Sequence, residues 1–228
     1  MIKKTIVVLS GAGISAESGL QTFRDSDGLW EDHRVEDVAT PQAFNKNPKM
    51  VLDFYNYRRK NVANVEPNAA HFGLAALEKE FNVQIITQNI DDLHERAGST
   101  EVYHLHGEIF KMRSINNEQL ILPNYEDIKL GDLAPDGHQL RPHIVWFGEA
   151  VPMIETVLPF VEKADIFIVI GTSLQVYPAA GLLDYVTPNI PIYVVDKKIP
   201  NLSKNRNITL IEAPATKGID LLIEKLKA

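Results

Sequence analysis

The sequence predicts an α/β protein with a doubly wound, mostly parallel sheet and a second, smaller lobe. Short apolar runs rich in β-branched residues alternate along the chain with stretches of helical periodicity, which is the order of a doubly wound sheet. Most of these runs are apolar throughout and do not alternate with polar residues, as in strands that are covered on both faces. At 228 residues, the chain is long enough to bury one sizeable core and a smaller one.

The predicted elements follow one another in a regular order. Strands are expected in apolar runs at 5–10, 83–87, 101–106, 143–148, 165–171, 191–196 and 207–213. Helices are expected at 48–65, 68–81, 153–163, 178–186 and 217–227. Two segments interrupt the alternation, since 25–66 shows loop and helix without a strand, and 108–141 is polar with turn signals. We therefore expect a Rossmann-like domain from 1–24, 67–107 and 142–228, and a small lobe with a covering loop from 25–66 and 108–141.

The composition excludes several classes of protein. The 45% hydrophobic and 23% charged residues are typical of a globular chain, and no apolar run is long enough to span a membrane. A net charge of -7 leaves no basic stripe for nucleic acid. Without cysteine, the chain has no disulfide, no thiol nucleophile and no thiolate metal site. The apolar run near the N-terminus is too short for a signal peptide, so we expect a cytoplasmic protein that can act as a monomer.

A glycine-rich segment, LSGAGISAESG at 9–19, follows the first predicted strand. Gly11 and Gly13 allow a tight turn and a close approach of the backbone to a pyrophosphate, which the N–H groups of the next helix would face. Ala16 replaces the last glycine of a dinucleotide-binding fingerprint, which the pattern tolerates. A plain turn between strand and helix is the alternative. Where a second strand usually ends in an acidic residue, GLQTFRDSDGLW at 19–30 reads as a covering loop.

Several segments occur in the order and spacing of one protein family. They are GAGISAESGLQTFR at 11–24, TQNID at 87–91, YHLHGE at 103–108, RPHIVWFGE at 141–149 and GTSLQVYPAA at 171–180. Together they resemble the sirtuins, the NAD-dependent protein deacylases, from Thr5 to the last predicted helix. The resemblance is greatest to bacterial members that remove acidic acyl groups. One departure is Gln21-Thr22 in place of the usual Pro-Asp, with Phe23 and Arg24 retained.

A second departure concerns zinc. Most sirtuins bind a structural zinc in the small lobe through cysteines, whereas here Ser114 stands at the position of the first cysteine. Zn²⁺ needs a tetrahedral set of soft or borderline ligands, which the histidines at hand, His138 and His143, cannot supply. We therefore expect no zinc and no other metal. The small lobe would be held by its own packing, with apolar anchors from INNEQLILPNYEDI at 115–128.

The resemblance implies that NAD is bound and consumed as a co-substrate. Arg24 would offer a cation to a phosphate or a carboxylate, and Phe23 would cover the reacting ribose and exclude water. The Asp196 carboxylate would accept from adenosine ribose hydroxyls, and Ala215 matches a loop that faces the adenine. The complete set implied for NAD is Gly11, Ala12, Gly13, Ser15, Ala16, Phe23, Arg24, Trp30, Gln88, Asn89, Ile90, Asp91, Gly171, Thr172, Ser173, Asp196 and Ala215.

His106 matches the general base of the family. An imidazole suits this role because its unperturbed pKa lies near neutral pH, and it would take a proton from an NAD ribose hydroxyl. From the residues alone, two alternatives remain. His104 and His106 alternate on a predicted strand, so with Asp91 and Asp92 they could bind the metal of a hydrolase, although no third ligand is convincingly spaced. A packed structural histidine is the other alternative.

The segment TQNID ends a predicted strand, where ligands gather in a sheet of this kind. Asn89 offers an amide and Asp91 a carboxylate, and the family pattern assigns both to a nicotinamide pocket and Gln88 to the ribose. On local sequence, these residues serve equally well as a cap for the next helix. The resemblance thus implies catalytic roles for His106, Asn89 and Asp91, which capping does not exclude.

The resemblance implies an acyl-lysine protein or peptide as the second substrate. An extended peptide can pair its backbone with an exposed strand, and in this family the matching residues do so. Within HIVWFGE they are Val145, Phe147, Gly148 and Glu149. From the sequence alone, Trp146 and Phe147 are more often interpreted as core residues than as substrate contacts.

Tyr55 and Arg58 lie one turn apart on a predicted helix, so their side chains share a face. A guanidinium binds a carboxylate through two parallel hydrogen bonds, and the phenol adds a third donor. A succinyl or malonyl chain would satisfy both groups, and the acid-tolerant branch of the family carries this Tyr-x-x-Arg in its acyl pocket. The alternative is a solvated helix face with salt bridges, which suits Arg59 and Lys60 better.

The sequence therefore predicts an NAD-dependent protein-lysine deacylase that acts as deacetylase, desuccinylase and demalonylase. Such an enzyme yields nicotinamide, O-acyl-ADP-ribose and free lysine. An ADP-ribosyltransferase or an NAD hydrolase would use the same pocket with another nucleophile. A non-catalytic NAD-binding sensor would keep the glycine turn, but His106 together with TQNID disfavours it.

Overall fold

The computed structural model describes residues 3–21, 29–30, 33–200 and 207–227. Phe23 and Arg24, which the resemblance assigns to NAD, lie outside these residues. In the described part of the chain the strands are β1 (Thr5–Ser10), β2 (Leu29–Trp30), β3 (His33–Arg34), β4 (Asn82–Thr87), β5 (Val102–His104), β6 (Gly107–Ser114), β7 (Ile121–Pro123), β8 (Leu140–Ile144), β9 (Ile166–Ile170), β10 (Ile192–Asp196) and β11 (Ile208–Glu212).

The helices of the same described ranges are α1 (Ala12–Ser15), α2 (Val35–Val38), α3 (Pro41–Lys46), α4 (Pro48–Asn64), α5 (Ala69–Leu77), α6 (Leu93–Arg96), α7 (Met153–Glu162) and α8 (Ala215–Lys227). Two 3-10 helices, at Ala16–Ser18 and Ala179–Tyr185, join them. No helix in the described part of the chain is both long and apolar enough to cross a membrane.

Six parallel strands form the central sheet, in the order β11-β10-β9-β1-β4-β5. Strand β1 shows why the apolar runs are continuous. Ile6 and Val8 pack into a core with α5 and α8, whereas Val7 and Leu9 pack into a core with α7 on the opposite face. Since side chains alternate between two buried faces, the inner positions of the strand, Ile6 to Leu9, are all apolar. The structure thus confirms the predicted doubly wound fold with a smaller second lobe.

The small lobe is built on an antiparallel sheet in the order β7-β6-β8, which packs with α2, α3 and α4 around a core of its own. The prediction of a strand at 143–148 is only partly right. The strand runs instead from Leu140 to Ile144 and pairs with β6 in the small sheet, with Ile144 opposite Gly107 and Leu140 opposite Ser114. A short apolar run reveals that a segment is buried but not which sheet it joins.

Three other predicted elements also need correction. The strand expected at 101–106 ends at His104, because Gly107 with a φ of +82° turns the chain into β6. The helix expected at 178–186 is a 3-10 helix. The segment 25–66, expected to lack strands, contains the two-residue strands β2 and β3, which are too short to leave a periodic signal.

Two buried polar residues of α4 attach a long loop of the small lobe to this helix. Asn56 donates from Nδ2 to Ile128 O and accepts at Oδ1 from Ile128 N, both at 2.9 Å. Arg59 is only 2% exposed and donates to the carbonyls of Ile109 and Glu126, at 3.0 and 3.2 Å. The assignment of Arg59 to a solvated face was therefore wrong, because backbone carbonyls of two other segments converge on its guanidinium.

Ser114, which the resemblance places where a zinc cysteine would be expected, is buried and donates from Oγ to Asp136 Oδ2 at 2.6 Å. This hydrogen bond joins the end of β6 to the turn before β8. Within the described residues, no group of three or more His, Cys, Asp or Glu side chains is placed to hold a metal ion. Of the apolar anchors expected at 115–128, Ile128 is buried, whereas Ile115 and Tyr125 are exposed. Hydrogen bonds therefore share with packing the task of holding this lobe.

Replacing Asn56 by alanine should lower the free energy of unfolding by about 2 to 3 kcal/mol, because both backbone groups of Ile128 lose their partner while buried. The matched control is Lys60→Ala, which removes an exposed ion pair between the same helix and the same loop, Lys60–Asp127 at 2.8 Å. This variant should cost less than about 1 kcal/mol. Urea unfolding followed by circular dichroism measures both, and equal losses would contradict the role given to Asn56.

Candidate active site

A cleft of about 400 Å³ opens at the carboxyl ends of β1, β4, β9 and β10, beside the small lobe. This is the edge at which a doubly wound sheet binds its ligands. The predicted residues that line it are Gly11, Ala12, Gly13, Ser15, Ala16, Trp30, Tyr55, Arg58, Gln88, Asn89, Ile90, Asp91, His106, Val145, Phe147, Gly148, Glu149, Gly171, Thr172, Asp196 and Ala215.

The glycine turn after β1 lies directly against the end of β9. Gly13 N donates to Gly171 O at 2.8 Å, and a Cβ added to Gly13 would lie only 2.8 Å from the same oxygen. A Cβ added to Gly11 would lie 2.7 Å from the Cβ of Thr172. The helix that follows is a single turn, α1, continued by a 3-10 turn. Close packing of two backbone segments therefore requires these glycines, in addition to any approach of a pyrophosphate.

Thr172 and Ser173 stand beside this contact. Gln88 Nε2 donates to Thr172 Oγ1 at 3.0 Å, which ties the end of β4 to the loop after β9. Ser173 does not line the cleft, but it is 7% exposed, and its buried Oγ has no hydrogen-bond partner among the described residues. At the far end, Asp196 accepts at Oδ1 from Lys198 N at 2.9 Å.

The segment after β4 places an amide and a carboxylate at the floor of the cleft. Asn89 Nδ2 donates to Ser15 Oγ at 3.0 Å, and Asp91 Oδ1 accepts from Leu93 N at 3.2 Å at the start of α6. Burial raises the pKa of Asp91, although the bonds from Leu93 and Ser15 counteract this effect. Asp91 therefore precedes the N-cap residue of α6, Asp92, and accepts from the first helical N–H while it also lines the cleft, so the two interpretations of TQNID are compatible.

His106 lies just beyond β5 and lines the cleft. Its Nδ1 is 3.0 Å from Gln88 O, and because a carbonyl only accepts, Nδ1 carries the hydrogen. In the neutral ring, Nε2 then holds the lone pair. Burial lowers the pKa of His106 below its usual value, partly offset by the bond to Gln88. The ring is thus neutral near physiological pH and able to accept a proton.

His104 lies in a different environment, away from the cleft lining. It is 8% exposed and contacts the Asn89 carbonyl through Nδ1 at 2.8 Å and Glu95 Oε1 through Nε2 at 2.7 Å. Both of its nitrogens are engaged, so it does not join His106 in a metal-binding pair. The alternative of a metal-dependent hydrolase finds no support in this arrangement.

A buried polar network below the cleft was not anticipated from the sequence. Ser15 Oγ lies 3.5 Å from His71 Nε2, and Ser10 Oγ lies 2.9 Å from His94 Nε2. The two imidazoles meet edge to face with their centres 5.0 Å apart. Burial lowers the pKa of His71 to about 4. Sequence offers no signal for this network beyond the helix-start pattern at 68–71, because its members come from separate elements.

Several apolar residues that line the cleft were also not predicted. Val176 and Tyr177 fall within GTSLQVYPAA, so that segment could have pointed to them. Ala39 and Val151 carry no signal in the sequence, because small and branched apolar residues are common everywhere.

Tyr55 and Arg58 lie on the wall of the cleft formed by α4, and neither is on a solvated face. The Tyr55 hydroxyl accepts from Trp146 Nε1 at 3.0 Å. Because an indole N–H only donates, the phenol keeps its own hydrogen for another partner. Burial raises the pKa of Tyr55, so it stays protonated. The Arg58 guanidinium lies 4.9 Å from the centre of the Trp30 ring.

The segment 145–149 forms a turn at the rim of the cleft and not the strand that was expected. The Glu149 carboxylate stabilises this turn through three hydrogen bonds. It accepts from Arg141 Nη1 and Nη2 at 2.6 and 3.1 Å and from Trp146 N at 2.8 Å. The Arg141 guanidinium also stacks on the Trp146 ring, 3.3 Å from its centre. Trp146 is thereby fixed on two sides, and with it the hydroxyl of Tyr55.

The other residues expected to bind the peptide lie in the same turn. Val145 N donates to His106 O and Phe147 N to Ala39 O, both at 2.9 Å, and Gly148 adopts a φ of +90°. Phe147 is 49% exposed, so it is not the core residue that one interpretation of the sequence proposed. The N–H groups of Val145 and Phe147 thus already bond to neighbouring segments, and the turn presents a fixed shape to an incoming chain.

Comparison with known proteins gives consistent results. The sequence model of the Sir2 family matches residues 11–178. An NAD-dependent protein deacylase of Bacteroides thetaiotaomicron is 52% identical, with 98% of each chain covered, and one of Helicobacter pylori is 52% identical, with 98% of this chain and 97% of the relative covered.

Solved structures agree with the sequence relatives. A complex of a Sir2 homologue with NAD superposes with a TM-score of 0.85 at 38% identity, over 99% of this chain and 90% of that one. A Sir2 protein bound to an acetylated peptide gives 0.80 at 28% identity, over 99% and 94%. Because the family match spans most of the chain and relatives at this identity span nearly all of it, the chain belongs to the Sir2 family.

Proposed function

We propose that this chain, an NAD-dependent protein deacylase, removes acyl groups from lysine side chains and accepts succinyl and malonyl groups besides acetyl. The observation that carries the acidic specificity is the pair of donors on α4, Tyr55 and Arg58, which lie on one wall of the cleft. NAD is consumed as a co-substrate. The products are nicotinamide, O-acyl-ADP-ribose and the free lysine.

The cleft offers groups that suit the two ends of NAD. Next to Thr172 of the cleft lining, Ser173 Oγ is buried without a partner among the described residues, and it would suit a phosphate or ribose oxygen if the loop after β9 turned it toward the ligand. Asp196 at the end of β10 suits adenosine ribose hydroxyls, because a carboxylate only accepts hydrogen bonds. Asn89 and Asp91 form the nicotinamide pocket, where an amide and a carboxylate match the donor and acceptor of a carboxamide.

His106 is the proposed general base. As nicotinamide leaves, the acyl oxygen forms a bond to the ribose carbon that the leaving group vacates. A ribose hydroxyl then attacks the acyl carbon, and His106 Nε2 takes the hydroxyl proton. The bond from Nδ1 to Gln88 O supports this role, because it fixes the tautomer that leaves Nε2 unprotonated. Water completes the release of the lysine amine.

The acyl pocket matches a carboxylate better than a methyl group. Arg58 is 6% exposed, so its charge lies in a medium where an anionic partner interacts more strongly than in water. The Tyr55 hydrogen is directed by the bond that its oxygen accepts from Trp146. Acetyl lacks the group that both donors would bind, which weakens its fit without preventing its entry into the cleft.

An NAD hydrolase or ADP-ribosyltransferase would use the same cleft with water or another nucleophile. The Tyr55–Arg58 wall favours the deacylase, because neither alternative needs paired donors at that place. Release of nicotinamide from NAD while an acylated peptide stays intact would identify one of these alternatives. Binding of NAD with no turnover at all would identify a sensor.

His106→Ala should reduce deacylation on the order of 10²- to 10⁴-fold in kcat, because it removes the proposed base that takes the ribose proton. Binding of NAD should be largely retained, since the dinucleotide contacts remain. Mass spectrometry of an acyl-lysine peptide and calorimetry with NAD measure the two effects. The control is His138→Ala, which removes an exposed histidine of the small lobe. Turnover that survives in His106→Ala would remove this residue from the mechanism.

Arg58→Met should reduce kcat/KM for a succinyl-lysine peptide by about tenfold to a hundredfold, because a buried charged hydrogen bond is worth about 1.5 to 3 kcal/mol. Turnover of the acetyl form of the same peptide should change much less. Lys60→Ala, an exposed cation on the same helix, should leave both rates as they are. Equal losses on the two peptides in Arg58→Met would show that no carboxylate is bound there.

Trp146→Phe should shift the succinyl-to-acetyl ratio of kcat/KM toward acetyl, because it frees the Tyr55 hydroxyl to turn away. A double-mutant cycle with Tyr55→Phe tests the cause. If Trp146 acts through the phenol, the substitution should have little further effect on this ratio once the hydroxyl is gone. Additive effects on the ratio would instead show that Trp146 shapes the pocket independently.

A further inference from the structure

Two histidines of the HLH segment form hydrogen bonds with two successive backbone carbonyls of the loop between β4 and α6. His104 Nδ1 is 2.8 Å from Asn89 O, and His106 Nδ1 is 3.0 Å from Gln88 O. A carbonyl oxygen only accepts, so both rings carry a hydrogen on Nδ1. The segment between β4 and α6 is thus attached to the end of β5 by parallel bonds from two imidazoles.

The second nitrogens of these rings differ. His104 Nε2 is 2.7 Å from Glu95 Oε1, and the Glu95 side chain is 40% exposed, so its carboxylate is solvated and ionised. An ionised carboxylate also only accepts, so His104 must carry a hydrogen on Nε2 as well. With hydrogens on both nitrogens, His104 is an imidazolium cation, whereas His106 is neutral. The two histidines of HLH therefore differ in charge, although they are the same type of residue.

We propose that Glu95 and His104 are positioning residues for the deacylation reaction, an ion pair that fixes the Asn89 backbone behind the nicotinamide pocket and so keeps His106 aligned. The proposal rests on the proposed function for its catalytic consequence. Its structural part, the charged state of His104, does not.

The contacts of Asn89 explain how the Glu95–His104 ion pair would influence the cleft. Its carbonyl is held by His104, and its side-chain amide by Ser15 Oγ at 3.0 Å, so the residue is fixed at both ends. The preceding carbonyl, of Gln88, orients the proposed base. If the bond to Asn89 O were lost, one rotation of the loop would misplace both the nicotinamide pocket and His106. Neither Glu95 nor His104 needs to touch a substrate for this.

The electrostatics agree with the hydrogen-bond geometry. Burial by itself would lower the pKa of His104, but the hydrogen bond and charge of Glu95 outweigh it, and the pKa is raised above 6.5. Burial would raise the pKa of Glu95, and His104 lowers it. The other ionisable groups facing His104 are Asp91, Asp92 and His94 around the start of α6, and Glu108 in β6.

The two histidines then set opposite limits on activity. His106 must be neutral, so kcat/KM should fall in acid, with a midpoint below 6.5 because its pKa is lowered. His104 must be charged, so activity should also fall in alkali, with a midpoint above 6.5. In alkali the lone pair on His104 Nε2 would face the Glu95 carboxylate, and the bond would be replaced by repulsion. A bell-shaped dependence of kcat/KM on pH is therefore expected, in which His106 sets the acid limb and His104 the alkaline limb.

Nitrogen NMR of the histidine rings in the wild-type protein tests the charge state without any substrate. At pH 6.5, where the raised pKa of His104 keeps it mostly charged and the lowered pKa of His106 keeps it mostly neutral, His104 should show two protonated nitrogens and His106 only one, with His104→Gln used to assign the signals. A single protonated nitrogen on His104 would overturn the proposal. If His104 is charged but no acyl peptide is turned over, the proposed function fails and the ion pair stands.

Variants of Glu95 test the positioning role. Glu95→Ala removes the partner, and kcat/KM for NAD should fall on the order of tenfold to a hundredfold, as expected when a displaced loop misaligns reacting groups. The alkaline midpoint should move to lower pH. Glu95→Gln should behave differently, because its amide N–H donates to the lone pair of a neutral His104 and preserves the link. It should keep most of the activity and lose the alkaline limb that belongs to His104.

The matched control is Glu101→Gln, which removes a carboxylate just before β5 that accepts from Gln84 Nε2 at 3.0 Å and does not contact His104. It should keep the wild-type profile. Acyl-peptide turnover over a pH series, with the affinity for NAD measured by calorimetry, provides the readouts. If Glu95→Ala and Glu95→Gln both kept the wild-type KM for NAD and the wild-type alkaline midpoint, the positioning role would be refuted.

Discussion

The ends of β1 and β9 approach each other so closely that only glycine fits at their contact, and the cleft is assembled around that approach. Gly13 N bonds to Gly171 O at 2.8 Å, and Gly171 has a φ of +64°, a conformation that L side chains rarely adopt. The contact sets Ser15 beside Asn89 and Thr172 beside Gln88. Any side chain at these glycines would push apart the two strand ends from which the site is built.

Helix α4 combines stability and specificity in one element. Its buried Asn56 and Arg59 bind backbone groups of the small lobe, while Tyr55 and Arg58 line the cleft. Because the two sets share one helix, the position of Tyr55 and Arg58 in the cleft depends on how firmly the small lobe is attached to α4. Polar side chains of a single helix thus carry part of the attachment of this lobe.

The sequence was sufficient for the features that depend on local pattern. Strands such as β1 and β9 are almost continuously apolar because both faces of the sheet are covered. Most residues that the short motifs pointed to line one cleft. It failed where the partner comes from elsewhere in the chain. Arg59 looks like any surface cation until the carbonyls of Ile109 and Glu126 are placed around it. The segment at 143–148 shows burial but not the sheet it joins.

The same limit applies to the histidines. Nothing in HLH distinguishes a cation from a neutral base, because the difference lies in Glu95, a residue of another helix, and in the cleft that His106 faces. The alternation in HLH predicts that both rings share one strand face, but the strand ends at His104, and only His106 lines the cleft. Charge state is a property of the assembled surroundings, and no local pattern encodes it.

The hydrogen bond from Ser114 to Asp136 links two parts of the small lobe through a hydroxyl and a carboxylate, and these groups determine which chemical conditions can break the link. Thiolates are attacked by peroxide and lose their metal to chelators, whereas a hydroxyl and a carboxylate resist both. The link is instead sensitive to low pH. The bond from Ser114 lowers the pKa of Asp136, so its stabilising effect is present above the ordinary carboxyl pKa and disappears as acid protonates the group. The link between β6 and the following turn is therefore tolerant of oxidants and sensitive to acid.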